Sequence, residues 1–255
     1  MAWEHELETA KRLAVKAGEQ ALRMRREGLR PEGKPDRSLV TAADRACEKL
    51  IAEALAEEFP EDGLLAEEGG LRHSRSGRRW IVDPVDGTLD YVRSIPLWSV
   101  LIALEDQEGV AVGVCYLPEP GEMYWAARGG GAWRNGQRLR VSQVSDPADA
   151  VLCVNALHKV DGAPWGARVI SLMSRFRAVR CLGGCQDAML VASGRAEAWI
   201  EPQACEWDLA ALKIIAEEAG AVFFNFDGGS NIYGGNCVIC VPALAPVVRE
   251  ALAIP

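Results

Sequence analysis

Trp80-Ile-Val-Asp-Pro-Val-Asp-Gly-Thr88 runs an apolar, strand-forming segment straight into two carboxylates, a glycine and a threonine. Such an ending is poor core material and a good oxygen cage for a hard cation. Asp83 and Asp86 can point different ways around one ion. Pro84 has no N–H to give to a ladder, so the Val85 carbonyl is expected to lie free of strand pairing. Gly87 and Thr88 then open a turn or helix whose N–H groups face an anion. Magnesium and a phosphate together satisfy both halves of that reading.

Working outward, 255 residues hold one large domain or two closely packed lobes. A hydrophobic share of 49% with 25% charged residues is ordinary for a globular enzyme. The net charge of −8 argues against nucleic acid as a partner, which needs clustered positive surface. Arg23, Arg25 and Arg26, and Arg72, Arg75, Arg78 and Arg79, read as a solvated helix end and a loop. No apolar run approaches membrane-spanning length, and no N-terminal apolar segment precedes a cleavage site. A cytoplasmic protein with no membrane partner and eight reduced cysteines is therefore expected. Cys237-Val-Ile-Cys240 has the spacing of a zinc knuckle, yet it lies in an apolar run that reads as a buried strand.

Leu7, Ala10, Leu13, Ala14, Ala17 and Ala21 recur at helical spacing. After a Gly- and Pro-rich loop from Gly28 to Ser38, Thr41 with Asp44 three residues on forms a capping box for a helix reaching about Phe59. Strands follow from Trp80. Trp98–Leu104 and Val110–Leu117 form a hairpin, Met123–Ala126 and Ala132-Trp133 extend it, and the Asn135-Gly136 turn precedes a strand at Leu139–Val141. Beyond about residue 145 strands (151–154, 178–181, 196–200, 222–224, 237–241) alternate with helices (164–176, 185–193, 207–219, 243–253). The chain divides into an α+β half, 1–145, carrying most of the acidic candidates, and an α/β half, 146–255, carrying Asp208.

Glu67 and Glu68 in Ala66-Glu-Glu-Gly-Gly70 would, by themselves, be exposed charge. Beside Asp83 and Asp86 they gain weight, because a hard cation draws oxygens from several segments. Asp208 in Glu206-Trp-Asp-Leu-Ala-Ala211 is either another such oxygen or a charge favoured by its helix dipole. Thr88 can equally be a plain cap.

With these residues in place, the chain resembles the inositol monophosphatase superfamily over nearly its whole length. Trp80 to Tyr91 is similar to that family's Asp-Pro-(Ile/Leu/Val)-Asp-Gly-Thr signature, and Glu206-Trp-Asp-Leu-Ala-Ala211 to its Trp-Asp-x-Ala signature. Ala66-Glu-Glu68 matches the upstream Gly-Glu-Glu, and Ser38-Leu-Val-Thr-Ala-Ala-Asp44 the Val-Thr-x-x-Asp element. The resemblance implies a layered α/β/α/β/α sandwich, a homodimer, and two or three magnesium ions per active site. Glu67, Asp83 and the Val85 carbonyl would hold the first ion; Asp83, Asp86 and Asp208 the second; Glu67 would also touch a weaker third. Asp44 and Thr88 would orient the attacking water, Gly87 and Thr88 N–H groups would hold phosphate, and Lys34 would lie in a loop closing over the metals. Brought together without cations, Asp44, Glu67, Asp83, Asp86 and Asp208 would push one another's pKa values upward.

The implied activity is hydrolysis of a small phosphorylated alcohol by direct attack of a metal-activated water. Gly183, Gly184, Cys185 and Glu201 would bind the alcohol, alongside Asp86 and Asp208. Inositol monophosphate leads and histidinol phosphate follows; Gly-Gly-Cys185 and Glu201-Pro lie near the histidinol-phosphatase pattern of Gly-Asp-Cys and Asp-Pro. A sugar bisphosphate or a nucleotide 3′-phosphate ranks below both. From another class comes a non-catalytic, metal-stabilised binding protein, which predicts a damaged acidic set; Glu67, Asp83, Asp86, Asp208, Asp44 and Thr88 are all present.

Overall fold

A computed structural model describes residues 3–28, 31–33 and 39–255. Five layers stack through it. Helices α1 (Glu4–Glu27) and α2 (Ala42–Glu58) cover one face of an eight-stranded sheet. That sheet contains β3 (Gly63–Ala66), β4 (Leu71–Arg72), β5 (Arg79–Asp86), β6 (Ser99–Asp106), β7 (Gly109–Leu117), β8 (Glu122–Ala127), β9 (Ala132–Arg134) and β10 (Gln137–Arg138), after a small pair made by β1 (Glu32–Gly33) and β2 (Leu39–Val40). Its order is β10-β9-β8-β7-β6-β5-β3-β4, antiparallel except where β3 runs parallel to β5. Between β5 and β6 lies the short helix α3 (Thr88–Arg93).

Helices α5 (Gly184–Ala192) and α6 (Glu206–Glu218) form the middle layer. Behind them is a five-stranded sheet, ordered β12 (Ala178–Arg180), β11 (Val151–Val154), β13 (Ala198–Glu201), β15 (Cys237–Cys240), β14 (Val222–Phe224). Helices α4 (Gly166–Met173) and α7 (Ala245–Leu252) close the far side. The expected layered sandwich is what the chain adopts.

Local chemistry explains the elements that matter most. Glu4 and Glu6 open α1 and Arg25 and Arg26 close it, each sign suiting the helix dipole. The Thr41 capping box forms: Thr41 Oγ1 accepts from Ala43 N–H at 3.0 Å, and Asp44 Oδ2 accepts from Thr41 N–H at 2.9 Å. Helix α6, from the second half of the sequence, lies against β6, β7 and β8 of the first sheet. The approach is close because Gly113 has no side chain; a Cβ there would sit 2.5 Å from Ile214 Cγ2 and 2.8 Å from the Ala211 carbonyl.

One sequence expectation needs correction. The strand after Asn135-Gly136 is Gln137–Arg138, not Leu139–Val141. Both turn residues adopt positive φ (47° and 81°), so the return strand starts at once, opposite Arg134 and Trp133. Val141 instead donates its N–H to the Ala219 carbonyl beyond α6. The buried-strand reading of Cys237-Val-Ile-Cys240 holds. Cys237 and Cys240 are both buried in β15, three residues apart, and face opposite sides of the sheet, one in the middle core and one in the far core.

Candidate active site

Asp83 and Asp86 sit near the C-terminal end of β5, on either side of a register break against β6. Pro84 causes it by withholding a ladder hydrogen bond. Asp208 comes from the first turn of α6, its Oδ2 accepting from Cys205 N–H at 2.7 Å. These three carboxylates each offer an oxygen within 4.8 Å of the others. Asp83 is buried and its Oδ1 accepts from Val85 N–H at 3.0 Å; Ser99 Oγ donates to Asp86 Oδ2 at 3.2 Å.

Crowded carboxylates in a dry place resist ionisation. Burial, then Glu67, Asp86 and Asp208, push Asp83 well above its ordinary value. Burial likewise raises Asp86. Burial first and Asp86 second lift Asp208 to about 8. A hard divalent cation relieves the repulsion with the all-oxygen set it prefers, so these residues fit a metal of that type.

Around the triad, Glu67 is near enough to raise Asp83 and Asp208, though its carboxylate is not in the tight group. Its turn is pinned by Glu48, which accepts from Glu68 N–H at 2.6 Å and Gly70 N–H at 2.8 Å. The Val85 carbonyl is outside the ladder pairing and lies 3.2 Å from Thr88 Oγ1. Thr88 Oγ1 is also 3.2 Å from Asp44 Oδ1, while Asp44 Oδ2 is held by the Thr41 hydroxyl at 2.5 Å. Burial raises the Asp44 carboxyl above its ordinary value. Gly87 takes φ 82°, the left-handed turn into α3 that glycine adopts without strain. Lys34 lies outside the described residues.

Beside Asp86 and Asp208 opens a cavity of about 400 Å³, with Gly183, Gly184, Cys185 and Glu201 among its walls. Its charged groups are Asp86, Asp90, Glu201 and Asp208, with His158; among the described residues no lysine or arginine lines it. Glu201 is buried, accepts from Asn155 Nδ2 at 2.5 Å and Gln203 N–H at 3.3 Å, and is lifted by burial to about 7. Asp187, fully buried, accepts from the Leu182 and Gly183 N–H groups and so shapes the turn into α5. A larger cavity, about 620 Å³, lies by Glu217, Glu218, Arg138 and Arg140 at the far end of α6, away from the carboxylate triad.

Sequence reasoning missed Glu48, Asn155 and Asp187, and Trp199 in the wall of the smaller cavity. Glu48 carried a usable signal, four residues after Asp44 on one helix face. Asn155, just past the end of β11, becomes informative only through the strand register that sets it beside Glu201.

Comparison with known proteins agrees with this geometry. The model of the inositol monophosphatase family matches residues 2–253. A histidinol-phosphatase of Chlorobaculum parvum is 38% identical over 235 residues, 92% of this chain and 91% of that protein. An inositol-1-monophosphatase of Mesorhizobium japonicum is 36% identical over 217 residues, 84% of this chain and 80% of its own length. The solved IMPase of Thermotoga maritima superposes with a TM-score of 0.88 at 27% identity, covering 98% of this chain and 97% of that one. The chain belongs to the inositol monophosphatase family, whose members are metal-dependent. It is a phosphoric monoester hydrolase. No helix among the described residues is long and apolar enough to cross a membrane.

Proposed function

We propose that the chain is a magnesium-dependent phosphomonoesterase acting on a phosphorylated amino alcohol, with histidinol phosphate ahead of inositol monophosphate. The observation that carries this order is the sign of the alcohol cavity: acidic groups and no described cation. Asp83, Asp86 and Asp208 are taken up by metal in this reading, which leaves Asp90 and Glu201 facing the alcohol. An ammonium group suits them. A second phosphate would be repelled, which weighs against sugar bisphosphates and nucleotide 3′-phosphates. The histidinol-phosphatase of Chlorobaculum parvum among the relatives supports the same order. Inositol monophosphate keeps second place because Glu201 can also accept hydrogen bonds from hydroxyls.

Glu67, Asp83 and the Val85 carbonyl would hold one ion and Asp83, Asp86 and Asp208 another, with Glu67 also serving a third. Bound there, magnesium would polarise the phosphoryl group and make water a better nucleophile. The Thr88 hydroxyl, donating to Asp44, keeps lone pairs free to accept from the attacking water. Its proton can then pass through Thr88 Oγ1 to Asp44 Oδ1, whose burial suits it to take a proton. The Gly87 and Thr88 N–H groups would hold phosphate, Gly183, Gly184 and Cys185 the alcohol, and Lys34 would close over the site. The same reading keeps the division at residue 145, a homodimer, and a reducing cytoplasmic setting.

Turnover of histidinol phosphate and inositol 1-phosphate in one magnesium buffer tests the proposal. Higher kcat/KM on histidinol phosphate, abolished by EDTA, is expected. Faster inositol 1-phosphate turnover reverses the order, and silence on both with metal bound favours a binding protein. Asp83→Asn should fold yet lose turnover at least about 10³-fold; near-normal activity would refute the metal assignment.

A further inference from the structure

Helix α3 starts at Thr88, and its third residue, Asp90, is half-buried in the wall of the alcohol cavity. The backbone there is held: the Ser94 and Ile95 N–H groups both donate to the Asp90 carbonyl. Gly183, another wall residue, faces the carboxylate without a side chain. A methyl group on Gly183 would stand 3.6 Å from Asp90 Oδ2 and 4.0 Å from the Leu97 carbonyl oxygen. A carboxylate and a carbonyl thus border one spot beside Gly183, and Leu97 also lines the cavity.

Little within the fold satisfies these two acceptors. Among the described residues no hydrogen bond or ion pair reaches the Asp90 carboxylate, and burial alone raises it above its ordinary value. The Gly183 N–H is already given to Asp187 Oδ2 at 3.3 Å. The Leu97 carbonyl receives one weak hydrogen bond among the described residues, from the Cys185 thiol at 3.9 Å. Glu201 differs, because Asn155 Nδ2 and the Gln203 N–H both donate to it. A partly desolvated carboxylate with neither donor nor cation is costly, and a ligand that brings both removes the cost.

We propose that Asp90 and the Leu97 carbonyl form an ammonium subsite in the alcohol cavity, with Asp90 setting specificity for a phosphorylated amino alcohol over a plain one. This rests on the amino-alcohol reading above and assigns the charge to one residue. An ammonium carries three donors and a positive charge, so it bonds both acceptors and neutralises the carboxylate at once. A hydroxyl brings one donor and no charge. The position along the chain fits as well. Thr88, whose N–H would hold phosphate, precedes Asp90 by two residues in the same short helix, and the amine of histidinol phosphate sits one carbon from the ester carbon. Glu201, on β13, is left for the rest of the alcohol.

The probes are histidinol phosphate and imidazolylpropyl phosphate, the same ester with hydrogen in place of the ammonium. The experiment measures kcat and KM for both, with magnesium, on the wild type, Asp90→Asn and Glu201→Gln. The wild type should favour the amino ester. In Asp90→Asn the ratio of kcat/KM, amino over plain, should fall about tenfold or more, mainly through KM, while Glu201→Gln should keep most of it. A part in folding or in holding magnesium would lower both esters in parallel. An unchanged ratio in Asp90→Asn therefore overturns the inference and leaves the amino-alcohol reading standing. A ratio lost in Glu201→Gln alone moves the ammonium to Glu201 and overturns it too. Should Asp90→Asn fold poorly, Asp90→Ser is read in the same way. A wild type that turns over the two esters alike removes the amino-alcohol reading and this inference together, and that result appears before any substitution is made.

Discussion

Removing metal should make this protein less stable as pH rises, and the carboxylate triad sets the size of the effect. Asp208 moves from an ordinary 3.8 to about 8 in the fold. The folded state therefore holds a proton that the unfolded chain has already released, and stability falls across that interval. The contribution is complete below the unfolded value and gone once pH has risen through the folded one. At about 1.4 kcal/mol per unit, the coupled carboxylates together remove on the order of several kcal/mol by pH 8. Burial raises Asp83, Asp86, Asp44 and Glu201 in the same direction. Domains are stable by only about 5–15 kcal/mol, so the metal-free protein should be marginal in mild alkali. Urea unfolding in EDTA should give a midpoint that drops between about pH 5 and pH 8, while excess magnesium, binding only the folded site, should flatten the curve. Asp208→Asn in EDTA should regain stability at the alkaline end. An EDTA midpoint equal at both ends, or higher in alkali, would refute the reasoning.

Two further predictions concern the framework and the proton path. Gly113→Ala should cost about 1–3 kcal/mol, because the new methyl would meet Ile214 Cγ2 and the Ala211 carbonyl and lift α6, which carries Asp208; thermal unfolding and magnesium affinity both report it. Asp44→Asn should lower kcat by about 10²–10⁴ with little change in fold, since an asparagine oxygen still accepts from Thr41 but no longer takes a proton from Thr88; steady-state kinetics beside circular dichroism decides.

Much of this was legible in the sequence because it is written in local chemistry. Helix α1 follows from alanine and leucine spacing, the start of α2 from Thr41 and Asp44, and the β5 register break from one proline. Asp83 and Asp86 declare themselves by spoiling the end of an apolar strand. Other features depend on what meets across the fold. Nothing near residue 113 announces that a helix a hundred positions later will rest on its backbone, or that Val141 will bond to Ala219 rather than to a strand. Asn155 and Trp199 look like strand-end residues until register and helix packing bring them to Gly184.

The placement of the site follows from the same division between local and distant contacts. A carboxylate trio with no described cation beside it cannot be assembled at the end of a single strand without opposing that strand's own folding. Asp83 and Asp86 come from β5 and Asp208 from α6, so the third charge joins the other two through the packing of the middle layer on the first sheet. The core formed by that packing and the core on the sheet's other face oppose the crowding. Asp208 also sits in the first turn of its helix, where the dipole favours negative charge and offsets part of the crowding. In the proposed reading docking and ion capture would be coupled: a cation bound by the three carboxylates would neutralise them and favour the packing of α6 on β7.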